Sequence, residues 1–168
     1  MTMTCSRKPP DGEPRDHQTF QNGLPAASER NGVRTCVLDT PPFTADQIAA
    51  IVKVATVILI PVVPSPHDLR AVGDTIELVE VVKKPMIFIV NNASPNGRLT
   101  LQAVTALSQY GTVAPTVVHT RQDYHSSMIK GRVVGEASPK GKSAAEIAEL
   151  WAYIESRFNK EMQYGAAA

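Results

Sequence analysis

Two uninterrupted apolar runs, separated by an amphipathic stretch, constrain the fold of this chain most strongly. Residues 56–63 and Met86–Val90 are rich in β-branched side chains and apolar at successive positions, which predicts strands that are buried on both faces. Apolar residues recur at helical spacing between them, at Leu69, Val72, Ile76 and Val79. Alternating strands and helices predict an α/β fold, with a parallel sheet and helices on both faces.

Shorter patterns extend this alternation in both directions. Residues 33–39 form a brief apolar run that predicts a strand, with Cys36 as a small core residue. Further elements are predicted as a helix over residues 45–54 capped by Thr44 with Gln47, a helix near residues 99–109 with Leu101, Val104 and Leu107 on one side, a short strand over residues 116–119, and a helix over residues 121–130.

Two helix starts carry specific capping patterns. Ser65 followed by Pro66 and Asp68 predicts the start of the helix after the first apolar run. Ser143 and Glu146 predict a capping box that opens the last helix. The apolar stripe of that last helix consists of Ile147, Leu150, Trp151, Ile154 and Phe158.

Composition divides the chain into three predicted parts. Residues 1–32 are polar and rich in proline, which predicts a disordered tail. Residues 33–160 form the predicted α/β domain, and residues 161–168 a flexible C-terminus. The net charge is +1, and no apolar run approaches the roughly 20 residues that span a bilayer. The absence of a secretory pattern and the two isolated cysteines predict a reduced, cytoplasmic setting without a membrane partner.

Candidate chemical residues fall where the predicted strands end. Asp39, Pro64 and Asn91 follow three apolar runs, and ligands of open parallel sheets bind beyond the carboxyl ends of the strands. Asp39 precedes Thr40 and a rigid Pro-Pro turn, so its carboxylate is a candidate for holding a metal-bound water. The alternative is an aspartate that ends a strand and caps the next turn. The four histidines show no metal-ligand spacing.

Four segments resemble one protein family in sequence and in order. They are VLDTPP, TVILIPVVPSPHDLRAV, IFIVNNA and RQDYHSSMIKGRVVGEASPKGKSAAEIAELWAYI. Together they resemble ParA-type partition ATPases, within the MinD/ParA group of deviant P-loop NTPases, from about residue 33 to residue 158. The resemblance is most specific for the small plasmid-type members. It implies a P-loop NTPase-like fold of the SIMIBI/ParA type.

The resemblance also implies roles for particular residues. Asp39 corresponds to the switch II aspartate that positions water and Mg²⁺, with Thr40 beside it, while Pro64 and Asn91 lie around the adenine of ATP. The resemblance further implies segregation of plasmid or chromosomal DNA, a nucleotide-dependent dimer and a centromere-binding partner protein. Non-specific DNA binding is assigned to basic residues near the C-terminus, here Arg121, Lys130 and Arg132.

The basic stretch over residues 121–142 has two interpretations. It contains five cationic side chains against Asp123 and Glu136, so it is a candidate for weak contact with DNA phosphates. The alternative is a solvated surface with no partner. The family resemblance favours the DNA interpretation.

One departure from the family limits the predicted activity. The pattern G-x-x-x-x-G-K-[ST] is absent from the 168 residues, and that loop supplies most of the phosphate contacts in P-loop proteins. We therefore expect an N-terminally truncated domain that does not hydrolyse ATP alone. Two alternatives to a partition ATPase follow, namely a non-enzymatic binding module that regulates a full-length copy, for example as a heterodimer, and a gene remnant.

Overall fold

The computed structural model describes residues 35–39 and 45–165. These residues belong to two compact units, Met1–Ala55 and Thr56–Ala168. None of the helices in the described ranges is long and apolar enough to cross a membrane.

The first unit contains one described helix, α1, at Ala45–Val54, as the sequence predicts. Residues 35–39 lie in neither a helix nor a strand, and Cys36 is exposed. The predictions of a strand over these residues and of a buried Cys36 are therefore wrong. A short apolar run becomes a strand only where a neighbour completes its backbone hydrogen bonds, and no described strand pairs with this segment. Thr40 and Thr44 lie outside the described residues.

The second unit is built on a parallel sheet. Its strands are β1 (Ile58–Val62), β2 (Met86–Val90) and β3 (Thr112–Val113), in the order β1-β2-β3. Ile58 lies opposite Met86 and Val62 opposite Val90, while Ile87 lies opposite Thr112. The described helices of this unit are α2 (Pro66–Val82), α3 (Arg98–Leu107), α4 (Gln122–Ile129), α5 (Val134–Ala137) and α6 (Lys142–Gly165).

Helices cover both faces of this sheet, as the sequence predicts. On one face, Ile60 and Phe88 pack with side chains from α2 and α3, including Ile76 and Leu107. On the other face, the alternate β2 residues Ile87 and Ile89 pack with Leu150 of α6. Because successive residues of a strand point to opposite faces, the apolar run of β2 supplies both cores. The α/β fold with a parallel sheet is confirmed.

The predicted start of α2 and the predicted apolar side of α3 differ in how well the structure matches them. The Ser65 cap is confirmed, because its Oγ accepts a hydrogen bond from the Asp68 amide at 3.1 Å. In α3, Ala103 and Leu107 are buried whereas Leu101 is 73% exposed, so the side predicted from Leu101, Val104 and Leu107 is buried only in part. Residues 103 and 107 are one turn apart, whereas residue 101 lies on a different side of the helix.

The third strand is displaced from its predicted position over residues 116–119. Its ladder is Thr112–Val113, and pairing with β2 resumes where the Val118 amide donates to the Val90 carbonyl at 3.0 Å. The Ala114 amide donates to the Phe88 carbonyl at 2.8 Å before the pairing is interrupted. An isolated parallel bridge between Ala93 and His119 ends the pairing.

The last helix does not begin with the predicted capping box. Helix α6 starts at Lys142, so Ser143 and Glu146 lie inside its first turns and their side chains contact other elements. The helix continues through Gly165, into the segment for which the sequence predicts a flexible C-terminus. Residues 166–168 lie outside the described ranges.

Candidate functional site

The carboxyl ends of β1 and β2 bring two of the predicted site residues to one edge of the sheet. Pro64 is buried and Asn91 is half-buried. The backbone N–H of Asn91 donates to the Val62 carbonyl at 2.9 Å, which extends the parallel ladder to Asn91. The next residue, Asn92, has a φ of 53°, in the left-handed region that asparagine tolerates better than most residues. The chain therefore turns sharply just after Asn91.

A second contact fixes this turn to the neighbouring segment. The Thr120 hydroxyl lies 2.8 Å from Oδ1 of Asn92 and 3.1 Å from the Asn92 carbonyl. The Thr120 amide also donates to the Ala93 carbonyl at 2.9 Å. These bonds hold the loop after β2 against the segment that leads into α4, so the edge beside Asn91 is well defined.

The Glu146 carboxylate of α6 accepts hydrogen bonds from several donors at this same edge. We define the Glu146 cluster as Glu146, His119, Arg121 and Tyr124. Arg121 donates from Nη2 to Oε1 at 2.5 Å and from Nε to both oxygens at 3.2 Å. Nδ1 of His119 lies 2.8 Å from Oε1, and the His119 amide donates to Oε2 at 3.3 Å. The Tyr124 hydroxyl lies 3.3 Å from Oε2.

The protonation equilibria of the cluster reflect these contacts. Burial raises the pKa of Glu146, but the hydrogen bonds from Arg121 and His119 outweigh burial and hold it at about 2. The hydrogen bond to Glu146 raises the pKa of Arg121. Burial, followed by the nearby Glu146 charge, raises the pKa of Tyr124. The cluster is therefore an ionised carboxylate with a paired guanidinium, and it joins α6 to the segment that precedes α4.

A further hydrogen bond strengthens this junction. The Ser143 hydroxyl donates to Oδ2 of Asp123 at 2.9 Å, and Ser143 is almost fully buried. Ser143 therefore joins α6 to the first turn of α4. Its side chain does not cap its own helix, because α6 already begins at Lys142.

The three predicted DNA-binding residues lie in unlike surroundings. Arg121 is held by Glu146, and a quarter of its side-chain surface is exposed. Lys130 and Arg132 are exposed and follow the end of α4 around Gly131, whose φ is 63°. No ion pair in the described part of the chain includes either residue. Lys130 and Arg132 are therefore open to a partner, whereas Arg121 belongs to the Glu146 cluster.

Asp39 lies in the first unit and is exposed. Within the described residues, no group of three His, Cys, Asp or Glu side chains is placed to hold a metal ion. Magnesium at phosphoryl-transfer sites takes one or two carboxylates together with phosphate oxygens, so Asp39 fits such a role only beside a bound polyphosphate. The roles of Asp39, Thr40, Pro64 and Asn91 toward ATP and Mg²⁺ stay predictions.

Sequence reasoning missed the residue at the centre of this edge. Glu146 matched a capping pattern, and the sequence offers no signal that it contacts Arg121 and His119, which are more than 20 positions away. Asn92 and Thr120 were also missed. The asparagine pair after a buried strand was the available signal, because Asn is enriched where φ is positive.

Comparison with known proteins supports the family resemblance in part. No family model matches this chain. The chain is 32% identical over 117 residues to the "Maintenance of carboxysome distribution protein A" of Halothiobacillus neapolitanus (strain ATCC 23641 / c2), a match covering 66% of this chain and 54% of that protein. The chain thus spans about half the length of this relative. The match supports a relationship with ParA/MinD-type proteins.

Proposed function

We propose that this chain is a ParA-like protein that positions a large cargo in the cell with the help of ATP and DNA. The observation that carries the proposal is the 117-residue match to a protein named for maintaining carboxysome distribution. Plasmid or chromosomal DNA is the cargo that the sequence resemblance implies. A centromere-binding partner and a homodimer, or a heterodimer with a full-length copy, complete this proposal.

The proposed nucleotide contacts in the second unit lie at the carboxyl edge of the sheet. Pro64 is buried there, and the side-chain amide of the half-buried Asn91 offers a donor and an acceptor. These properties suit the flat, polar-edged ring of adenine. When bound, Mg²⁺ would neutralise phosphate charge beside Asp39. Thr40 follows Asp39 in the sequence.

The proposed DNA contacts are centred on Lys130 and Arg132. Both side chains are exposed and free of ion pairs within the described ranges, as phosphate-binding residues of a weak, non-specific surface should be. Arg121 contributes to this surface through its position before α4. Its guanidinium is held by Glu146, so we propose that Arg121 orients the basic segment more than it contacts phosphate.

A DNA-binding titration tests this function. We expect the 168-residue chain to bind duplexes of unrelated sequence equally, with an affinity that falls steeply as salt rises. Replacing Lys130 and Arg132 with alanine should lower the salt slope by about two, because each cation is expected to neutralise one DNA phosphate. The matched control replaces Arg70 and Arg98, which are exposed on α2 and α3. Equal slopes for both double variants would contradict the proposed surface.

A non-enzymatic binding module is the second candidate function. It is favoured by the absence of G-x-x-x-x-G-K-[ST] from these 168 residues, because the backbone N–H groups and lysine of that loop make most phosphate contacts. We expect the chain as it stands to bind Mg-ATP with a Kd weaker than about 1 mM. Isothermal titration measures this, and a micromolar isotherm would exclude this candidate in favour of a nucleotide-binding protein.

A further inference from the structure

A cavity lies at the amino-terminal edge of the sheet, opposite the edge that carries Pro64 and Asn91. Its volume is about 260 Å³, and its lining includes the start of β2 and residues just before β1 and β3. Val57, Met86 and Ile87 contribute apolar surface to its wall. None of these residues belongs to the site described above, so the cavity is a separate feature of the second unit.

Two cations and one carboxylate also line this cavity. They are Lys84, Arg157 and Glu161, and all three are half-buried. The Nε atom of Arg157 is buried without a hydrogen-bond partner among the described residues. A guanidinium N–H that is withdrawn from water and has no acceptor is uncommon in folded proteins, because its desolvation is then uncompensated. Arg157 therefore has unused hydrogen-bonding capacity beside the cavity that it helps to line.

Glu161 is the natural competitor for these cations. It follows Arg157 by one helical turn on α6, a spacing at which side chains of opposite charge can pair. The ion pairs found in the described part of the chain nevertheless do not include Arg157, Lys84 or Glu161. The cavity lining thus retains an excess of one positive charge, and neither cation is neutralised by a direct contact with Glu161.

We propose that this cavity binds a small organic carboxylate. The planar guanidinium of Arg157 matches a carboxylate in shape and hydrogen-bond geometry, and Lys84 adds a second charge. The ligand's body would pack on Val57 and Met86 and against the ring of Tyr110, which also lines the cavity. The volume is below the roughly 300–1,000 Å³ of drug-sized sites, so the ligand is limited to a single ring or a short chain.

Benzoate is the probe for this site, added to the full 168-residue chain and followed by NMR titration at low ionic strength. We expect saturable binding that Arg157→Gln weakens by at least about tenfold, since the charge-assisted hydrogen bonds are removed. Lys84→Gln should weaken it by about threefold, and Glu161→Gln should tighten it by a similar factor because a like charge is removed. Arg70→Gln, at an exposed arginine outside the cavity, should leave the affinity unchanged.

A parallel titration with inorganic phosphate distinguishes a site for organic carboxylates from a site for any small anion. Benzoate should bind more tightly than phosphate, because only benzoate has an apolar body to bury. Equal affinities would overturn the assignment of an organic ligand. Failure of benzoate to saturate, or saturation that Arg157→Gln leaves unchanged, would overturn the site. The gain expected for Glu161→Gln cannot arise from loss of folding, so that variant keeps the test decisive even if Arg157→Gln unfolds the chain.

Discussion

Arg121 and Arg157 lie at opposite edges of the same sheet, and their surroundings differ in one respect that decides their roles. Arg121 donates three hydrogen bonds to Glu146. Arg157 has a buried Nε with no partner in the described part of the chain. A satisfied guanidinium fixes local structure, whereas an unsatisfied one leaves hydrogen-bonding capacity unused. The comparison assigns a structural role to Arg121 and is consistent with the ligand site that we propose around Arg157.

Helix α6 takes part in both regions. Glu146 lies near its start and Arg157 and Glu161 near its end, which separates Glu146 from Glu161 by about 22 Å at 1.5 Å per residue. Leu150, between them, packs on the sheet. One amphipathic helix therefore carries the Glu146 carboxylate of the ion pair near one end, and Arg157 and Glu161 of the cavity near the other.

The largest effect should follow the loss of Glu146. Glu146→Ala removes the acceptor shared by Arg121, His119 and Tyr124, so we expect the free energy of unfolding to fall by about 1–3 kcal/mol. Urea denaturation measures the change. Glu149→Ala, at an exposed glutamate one turn further along α6, is the matched control and should stay within about 0.5 kcal/mol. Equal losses for the two variants would contradict the structural role of the cluster.

Acid should remove the same contribution gradually. The pKa of Glu146 is lowered from 4.5 to about 2 in the folded chain, so its stabilising effect is complete above pH 4.5 and is lost as the pH falls toward 2. The stability difference between the wild-type chain and Glu146→Gln should therefore shrink over this range. Urea titrations at several pH values test this, and a difference that stays constant would show that Glu146 is not held ionised.

An intermediate effect on stability should distinguish Arg121 from the two exposed cations Lys130 and Arg132. Arg121→Ala should lower both the stability and the affinity for DNA, because it disrupts the Glu146 cluster before α4. Replacing Lys130 and Arg132 with alanine should weaken DNA binding while the thermal midpoint stays within about 2 °C, as expected for exposed side chains. Unfolding and DNA titrations of the two variants make the comparison. An Arg121→Ala variant as stable as the wild-type chain would contradict the structural role of Arg121.

The smallest effect should come from Arg157. Arg157→Met removes a partly desolvated cation whose Nε has no hydrogen-bond partner among the described residues, and it keeps most of the apolar stem. The free energy of unfolding should therefore change by less than about 0.5 kcal/mol or increase. Urea denaturation of Arg157→Met and of Arg121→Met measures the two changes in stability side by side. A large loss of stability in Arg157→Met would mean that this guanidinium has a structural partner.

The sequence was sufficient for the features that depend on burial and local capping. The β2 run predicts a strand that feeds both cores, and Ser65 with Pro66 predicts the start of α2. Both signals reside within a few neighbouring residues. The Glu146 cluster was beyond this reasoning, because its partners are distant in sequence and meet only after α6 packs on the sheet. The strand predicted over residues 33–39 was wrong for a related reason, since a strand depends on a neighbour that the run itself cannot specify.

The arginine Nε–H resonances test the central comparison most directly. In a ¹H–¹⁵N spectrum of the wild-type chain, with signals assigned through Arg121→Lys and Arg157→Lys, the Arg121 Nε–H should exchange slowly with water and keep its shift when benzoate is added. The Arg157 Nε–H should move with benzoate along a saturable curve. A response of Arg121 to benzoate, or an Arg157 signal that stays fixed at saturating benzoate, would contradict the roles assigned to the two arginines.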